Sequence, residues 1–296
     1  MVIPYPWGTN QINFSCLNST PRVHKLAKRL FTKNKNDSQR VIKTDNYFYK
    51  VPNQWIRGKP PDVKRICTYY LLNEVRGLSD KGMVTIKYII ENCGYKCRKG
   101  TDGINNVYKA ILSDAITKQD IILDTGYTFP PRNLSDGIPY TVNSINFDEI
   151  DNFTKLTDTE FDLLIKSNHS KSKECLMGVY LYIKSYYHQG TVVNRPIGFY
   201  QSLATVQNTI GYSPKFTIKV LNDLIDIGLL HKHIVGSRQF IRNGAEVRDN
   251  VPNIYIPNLG QAQDEINETI KSTVALMKEF YNVDKFLPFM KNGKEN

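Results

Sequence analysis

The sequence holds no apolar run long enough to cross a bilayer, so a membrane-spanning chain is not expected. Its opening residues, MVIPYPWGTNQ, lack a basic stretch followed by an apolar core. No secretory signal is read there, and a cytoplasmic protein, nucleoid- or plasmid-associated, is the expectation. Cysteine is scarce and scattered: Cys16, Cys67, Cys93, Cys97 and Cys175 make an odd set of five, which does not suggest a disulfide framework. Cys93 and Cys97 are separated by three residues, yet no second Cys/His pair lies near them to complete a four-ligand zinc site. Free thiols and no metal are expected.

Catalytic signatures are missing as well. GLSDKGM (Gly77 to Met83) has the glycine spacing of a phosphate-binding loop, but Met83 and Val84 stand where the Lys and Ser/Thr would have to be. The HKH run, His231 to His233, invites comparison with metal-dependent nicking enzymes, which need a hydrophobic residue where Lys232 stands. No Ser-His-Asp arrangement and no distinctive pair of carboxylates emerges, and the tyrosines of KSYYHQG and RICTYYLL fall on helical patterns that suit a core. No catalytic residue and no cofactor is therefore assigned.

What is present is positive charge. The chain of 296 residues has a formal net charge of +11. Between Arg22 and Arg65, thirteen Lys/Arg stand against three acids, Asp37, Asp45 and Asp62. Such a patch favours a polyanionic partner, nucleic acid first and an anionic membrane second.

The patterning gives four segments: a basic N-terminal extension over 1–60, domains over 61–147 and 157–257, and a C-terminal helix and tail over 262–283. In the extension, Pro21–Phe31 reads as a short basic amphipathic helix and Arg40–Pro52 as strand-like. In the first domain, PDVKRICTYYLLNEVRG reads as a helix that turns Val63, Ile66, Tyr70 and Leu71 inward. MVTIKYIIENCGY reads as a second helix ending at Gly94, and a third runs from Ile104 to Ile116 with Val107, Ile111, Leu112 and Ala115 in the core. KQDIIL and IPYTVNSINF then pair as a hairpin. The second domain repeats this order. Thr157 and Glu160 form a capping box, KECLMGVYLYIKSYY is an apolar helix, two helices follow, and LLHKHIV pairs with NIYIP around a long polar tip.

The two helices come from QSLATVQNTIGYSPKFTIKVLNDLIDIGLLHKH (Gln201 to His233). Leu203, Val206 and Ile210 recur at helical spacing, Gly211 ends the run in a left-handed conformation, Ser213 caps the next helix and Pro214 occupies its first position. Thr217, Leu221, Leu224 and Ile225 form its apolar stripe, and Gly228 stops it. Helix, short turn and helix is how helix-turn-helix DNA readers are built. The fold class expected is α+β and helix-rich: two tandem winged-helix domains, each of three helices and a β-hairpin wing, with the basic extension and the C-terminal helix attached.

On TIKYIIENCGYKCRKGTDGINN in the first half, and on SLATVQNTIGYSPKFTIKVLNDLIDIGLL closed by VPNIYIP in the second, the chain resembles the tandem winged-helix replication initiators of plasmids and phages from low-GC Gram-positive bacteria. It is similar also to the helix-turn-helix proteins that accompany DnaD-type primosome components. The resemblance implies a non-enzymatic, sequence-specific double-stranded DNA-binding protein that binds origin repeats and recruits host primosome or helicase-loading proteins; a homodimer is compatible with this reading, the oligomeric state is left open, and no membrane partner is expected. A transcriptional regulator on the same scaffold is the alternative, and a metal-dependent nicking enzyme a more distant one.

The residues expected to meet DNA in the second half are Ser213, Lys215, Phe216, Lys219 and Asn222 on the second helix, Lys232 on the wing strand, and Arg238, Arg242 and Arg248 in the wing. Such helices often carry a small polar residue where this chain has Phe216, which is read either as a thymine-methyl contact or as an aromatic core or dimer contact. In the first half the corresponding residues are Lys96, Arg98, Lys99 and Lys109, with Asn105 and Asn106 beside them.

Overall fold

The computed structural model describes residues 48–76, 79–97, 103–143, 150–166, 173–189, 196–291 and 294–295. The chain divides into two units, Met1–Val41 and Ile42–Asn296, and all of these residues belong to the second. The basic helix expected over Pro21–Phe31 and most of the basic stretch lie outside the described residues.

The end of the expected strand, Phe48–Pro52, is β1. One helical turn, Asn53–Ile56 (α1), leads to Val63–Arg76 (α2), which buries Val63, Ile66, Tyr70 and Leu71 as its spacing predicts. The next element corrects the sequence reading. Instead of one helix from Met83 onward, Lys81–Val84 is a strand (β2) and the helix is confined to Ile86–Asn92 (α3). Thr85 makes the break, because its Oγ1 accepts the Tyr88 N–H at 2.9 Å and caps α3. Gly103–Thr117 (α4), Ile121–Leu123 (β3) and Ile138–Val142 (β4) complete the first half. The expected hairpin is part of a three-stranded antiparallel sheet in the order β2-β4-β3, with Val84 opposite Ile138 and Ile121 opposite Val142. Val107 is a second correction. It is 40% exposed, because α4 turns Tyr108, Ile111, Leu112 and Ala115 inward and leaves Val107 at the edge of that stripe.

The second half runs through Phe153–Thr157 (β5), Asp158–Lys166 (α5), Lys173–Ser185 (α6), His188–Gln189 (β6) and Pro196–Ile197 (β7). Then come Leu203–Ile210 (α7), Pro214–Asp226 (α8), Leu230–His233 (β8), Ser237–Arg242 (β9), Ala245–Asn250 (β10) and Ile254–Pro257 (β11). Gln263–Tyr281 is the long C-terminal helix (α9), followed by Met290–Lys291 (β12) and Lys294–Glu295 (β13). β11 pairs with β8 on one side, and its Tyr255 bridges Phe199 on the other. That single bridge stands where β2 stands in the first half. The long tip is a hairpin of its own, β9 with β10, turning at Asn243 and Gly244, both at positive φ. The chain is thus helix-rich α+β, with nine helices among the described residues and small antiparallel sheets.

Both expected domain ranges contribute to one large apolar core, and a smaller separate one gathers Val251, Ile254 and Ile256 against Ile266 and Met277 of α9. α6 is the centre of the large core, buried without interruption from Cys175 to Ile183. Tyr70 of α2 stacks on Phe161 of α5, with ring centroids 3.9 Å apart, and its hydroxyl donates to Asp158 at 2.6 Å. Cys67 Sγ lies 3.5 Å from Met177 Sδ, and Lys64 and Tyr95 both reach Glu174. β1 pairs along its length with β5, and Arg57 donates to the Ser185 carbonyl at 2.6 Å.

The same junction holds a titrating group. Burial, then the nearby charges of Asp158 and Asp162, raise the Glu74 carboxyl from 4.5 to about 7, against the pull of Lys166. Between those two values the folded chain keeps a proton that the unfolded chain releases, so this group's contribution to stability falls as pH rises through the window. Glu74→Gln should therefore raise the melting temperature at pH 8 and leave it nearly unchanged at pH 4.5. By surface area Glu74 as a whole is exposed, its carboxyl at the rim of the junction, so solvent screens much of the effect and the gain is small. Equal gains at both pH values would remove the assignment.

Candidate nucleic-acid interface

The turn between α7 and α8 is assembled by local chemistry. Ser202 Oγ caps α7 by accepting the Thr205 N–H at 3.1 Å. Gly211 ends it at φ 76°, where a side chain would be strained. Ser213 Oγ then accepts the Phe216 N–H at 3.4 Å, and the Thr217 hydroxyl donates to the Ser213 carbonyl at 3.1 Å. α8 buries Thr217, Val220, Leu221, Asp223 and Leu224, so its outer face carries Lys215, Ile218, Lys219 and Asn222. Ser213 is exposed at its start. Neither lysine makes an ion pair among the described residues, so both present uncompensated positive charge to solvent.

Two residues of α8 stand apart. Phe216 is half-buried, packs against the main core and meets Tyr212 edge-on at 5.5 Å, a setting that suits the core-contact member of its two readings. Ile218, absent from the expected set, is 45% exposed on the outer face. The signal for it was available: it stands three residues after Lys215 and four before Asn222, on one side of a helix.

The strands expected to form the wing follow directly. Lys232 is exposed on β8, opposite Tyr255. His231 and His233 are half-buried on the other face of the strand. Burial lowers the His231 imidazole, and a hydrogen bond with Asn258 opposes it. The three expected arginines have distinct settings. Arg242 is exposed beside the hairpin turn. Arg238 is held between the rings of Phe240 and Tyr281, at 4.6 and 4.5 Å. Arg248 donates through Nε to Ser237 Oγ and through Nη2 to the Pro288 carbonyl, each at 2.7 Å. The chain after α9 braces this hairpin: Ser237 and Leu287 exchange both backbone hydrogen bonds at 2.8 Å, and the Asn250 amide pairs with the Met290 backbone in both directions at 2.9 Å. Gly236 is required where they meet, at φ 122°, since a Cβ there would lie 2.1 Å from the Leu287 carbonyl oxygen.

In the first half, Lys96 is exposed after α3 and Lys109 is half-buried on α4, while Arg98 and Lys99 lie outside the described residues. Asn105 is buried and Asn106 is exposed. The outer face of α4 is made by Asn106, Val107, Ala110 and Ser113, with far less charge than α8. Of the two cysteines weighed as ligands, Cys93 is buried and Cys97 half-buried, both as thiols. Among the described residues no group of three or more His, Cys, Asp or Glu could hold a metal, and no helix is long and apolar enough to cross a membrane. Comparison with protein-family models, curated proteins and solved structures returns no match.

Proposed function

We propose that the protein is a sequence-specific double-stranded DNA-binding protein built from two winged-helix units, acting without catalysis as a replication initiator that binds origin repeats and recruits host replication proteins. One observation carries the reading. Each half has a helix, a strand or bridge, two helices and a strand pair whose last member lies in the middle of the three, the second half adding the β6–β7 and β9–β10 hairpins, and this order supports the winged-helix reading. In the second half the last helix of this order, α8, offers Lys215, Lys219 and Asn222 outward from a capped, tightly turned helix pair. Those side chains suit guanine and adenine edges and phosphates. The exposed Lys232 and Arg242 of the wing suit the backbone.

The test begins with selection of a site from random duplexes, followed by binding of variants. Lys219→Ala should weaken binding to the selected site by about 1–3 kcal/mol and hardly affect random DNA. Arg242→Ala should weaken both about equally, because a phosphate contact carries no sequence information. Identical losses for both variants on both duplexes would remove α8 as the reading element. A plasmid whose only origin is DNA flanking the gene should replicate when the protein is supplied. Site binding without replication would move the assignment to transcriptional regulation.

A further inference from the structure

Two exposed aliphatic side chains stand out for where they lie. Ile218 is on the outer face of α8 and Val107 on that of α4, the last helix of each half before the paired strands. Single exposed apolar residues are ordinary on protein surfaces. These two are less so, because β-branched residues are poorer helix formers than the Lys, Glu or Ala that an exposed helical position usually favours. Core packing does not explain Ile218 either, since Val220, Leu221 and Leu224 supply that face. Each has an exposed asparagine close by on the same helix: Asn222 one turn beyond Ile218, and Asn106 adjacent to Val107. Neither amide makes a hydrogen bond among the described residues. Within the major groove, the C5-methyl of thymine is the apolar feature of the base edges, and a carboxamide matches the adenine N6 and N7 pair. An aliphatic side chain and an asparagine on one exposed face therefore form a reader of A·T pairs, directly side by side on α8 and about 100° apart around the axis on α4.

We infer that both helices read A·T base pairs, Ile218 and Val107 packing on thymine methyl groups and Asn222 and Asn106 pairing with adenine edges. The inference rests on the DNA-binding reading and adds the chemical class of base beneath each helix. The two helices differ in how they are held there. On α8, Lys215 and Lys219 run alongside the pair on the same outer face and hold the phosphates or a neighbouring guanine. On α4, Lys109 is the one cation of the helix, and methyl and amide contacts carry more of the discrimination.

The experiment uses the full chain and its selected duplex, with thymines replaced one at a time by deoxyuridine, which removes only the methyl group. Affinity is read by fluorescence anisotropy at fixed salt. One substitution beneath each helix should lower affinity about fourfold, the worth of one buried methyl. Ile218→Ala should cause a similar loss on the thymine duplex and no further loss on the matching deoxyuridine duplex, and Val107→Ala should do the same at the other half. Both positions are exposed, so neither change threatens folding. If deoxyuridine binds as tightly as thymine throughout, or the alanine variants lose equally on both duplexes, the thymine assignment is overturned. A continued loss with Lys219→Ala would then leave the DNA-binding reading standing. If no duplex is enriched over random sequence, that reading falls and the assignment with it.

Discussion

Replacing Glu160 with alanine should cost about 3–5 kcal/mol of stability, the range for removing one partner of a buried ion pair. Glu160 is almost wholly buried beneath the second half, and its carboxylate serves three partners. One oxygen accepts the Thr157 N–H at 2.9 Å, and Thr157 Oγ1 accepts the Glu160 N–H at 3.3 Å in return, closing a capping box at the start of α5. The other oxygen accepts from Lys184 Nζ at 2.5 Å and from the Tyr180 hydroxyl, both on α6. Burial lowers the Lys184 ammonium and raises the Tyr180 hydroxyl, so each pays for leaving water and each depends on this carboxylate. Without Glu160, Lys184 is left buried with no counter-charge. Glu160→Gln should fall between wild type and alanine, because glutamine can still close the capping box but cannot balance the lysine. Glu160→Leu combined with Lys184→Met should recover part of the loss, by removing the stranded charge while leaving Tyr180 unsatisfied. Urea unfolding reads all three. A loss below about 1 kcal/mol for Glu160→Ala would mean that water reaches the cluster and that α6 does not depend on it.

That cluster shows what can be read from sequence and what cannot. The capping box was legible because Thr157 and Glu160 are three residues apart and solve a local problem at a helix start. Lys184 was not, since it stands at the end of an apolar run and its partner is 24 residues away in sequence. The α7–α8 turn was legible throughout for the same reason: Gly211, Ser213, Pro214 and Gly228 each act on their immediate neighbours. β2 was missed because KGMV has no alternation, and its pairing with β4 joins Val84 to Ile138 across the whole of α3 and α4. The brace on the β9–β10 hairpin was equally hidden, since nothing in the residues from Leu287 to Met290 announces a partner at Ser237 or Asn250. At the candidate site, outward Lys215, Lys219 and Asn222 were found from helical period alone. Phe216 kept two readings, because choosing between them requires knowing that Tyr212 meets its ring, whereas Ile218 was passed over although its spacing from Lys215 and Asn222 put it on the outer face.

On the proposed DNA-binding reading, inserting five base pairs between the two halves of the selected site should reduce specific affinity by at least about 100-fold. The reason lies in how the halves are joined. Tyr70 stacked on Phe161, Cys67 against Met177, and β1 paired along β5 place both halves on one core. Relative rotation of α4 and α8 would have to break those contacts. Five base pairs turn one half-site by about half of the 10–10.5 base-pair helical repeat, so one helix faces away from its groove. At about 1–3 kcal/mol for each base pair lost, two or three contacts account for the expected drop. A ten-base-pair insertion separates this arrangement from two domains on a flexible linker. It restores the facing but moves the half-site by about 34 Å. A flexible linker would follow and recover binding; a shared core cannot. Recovery at ten base pairs would therefore show that the junction opens on DNA, and unchanged binding at five would show that one half alone reads the site.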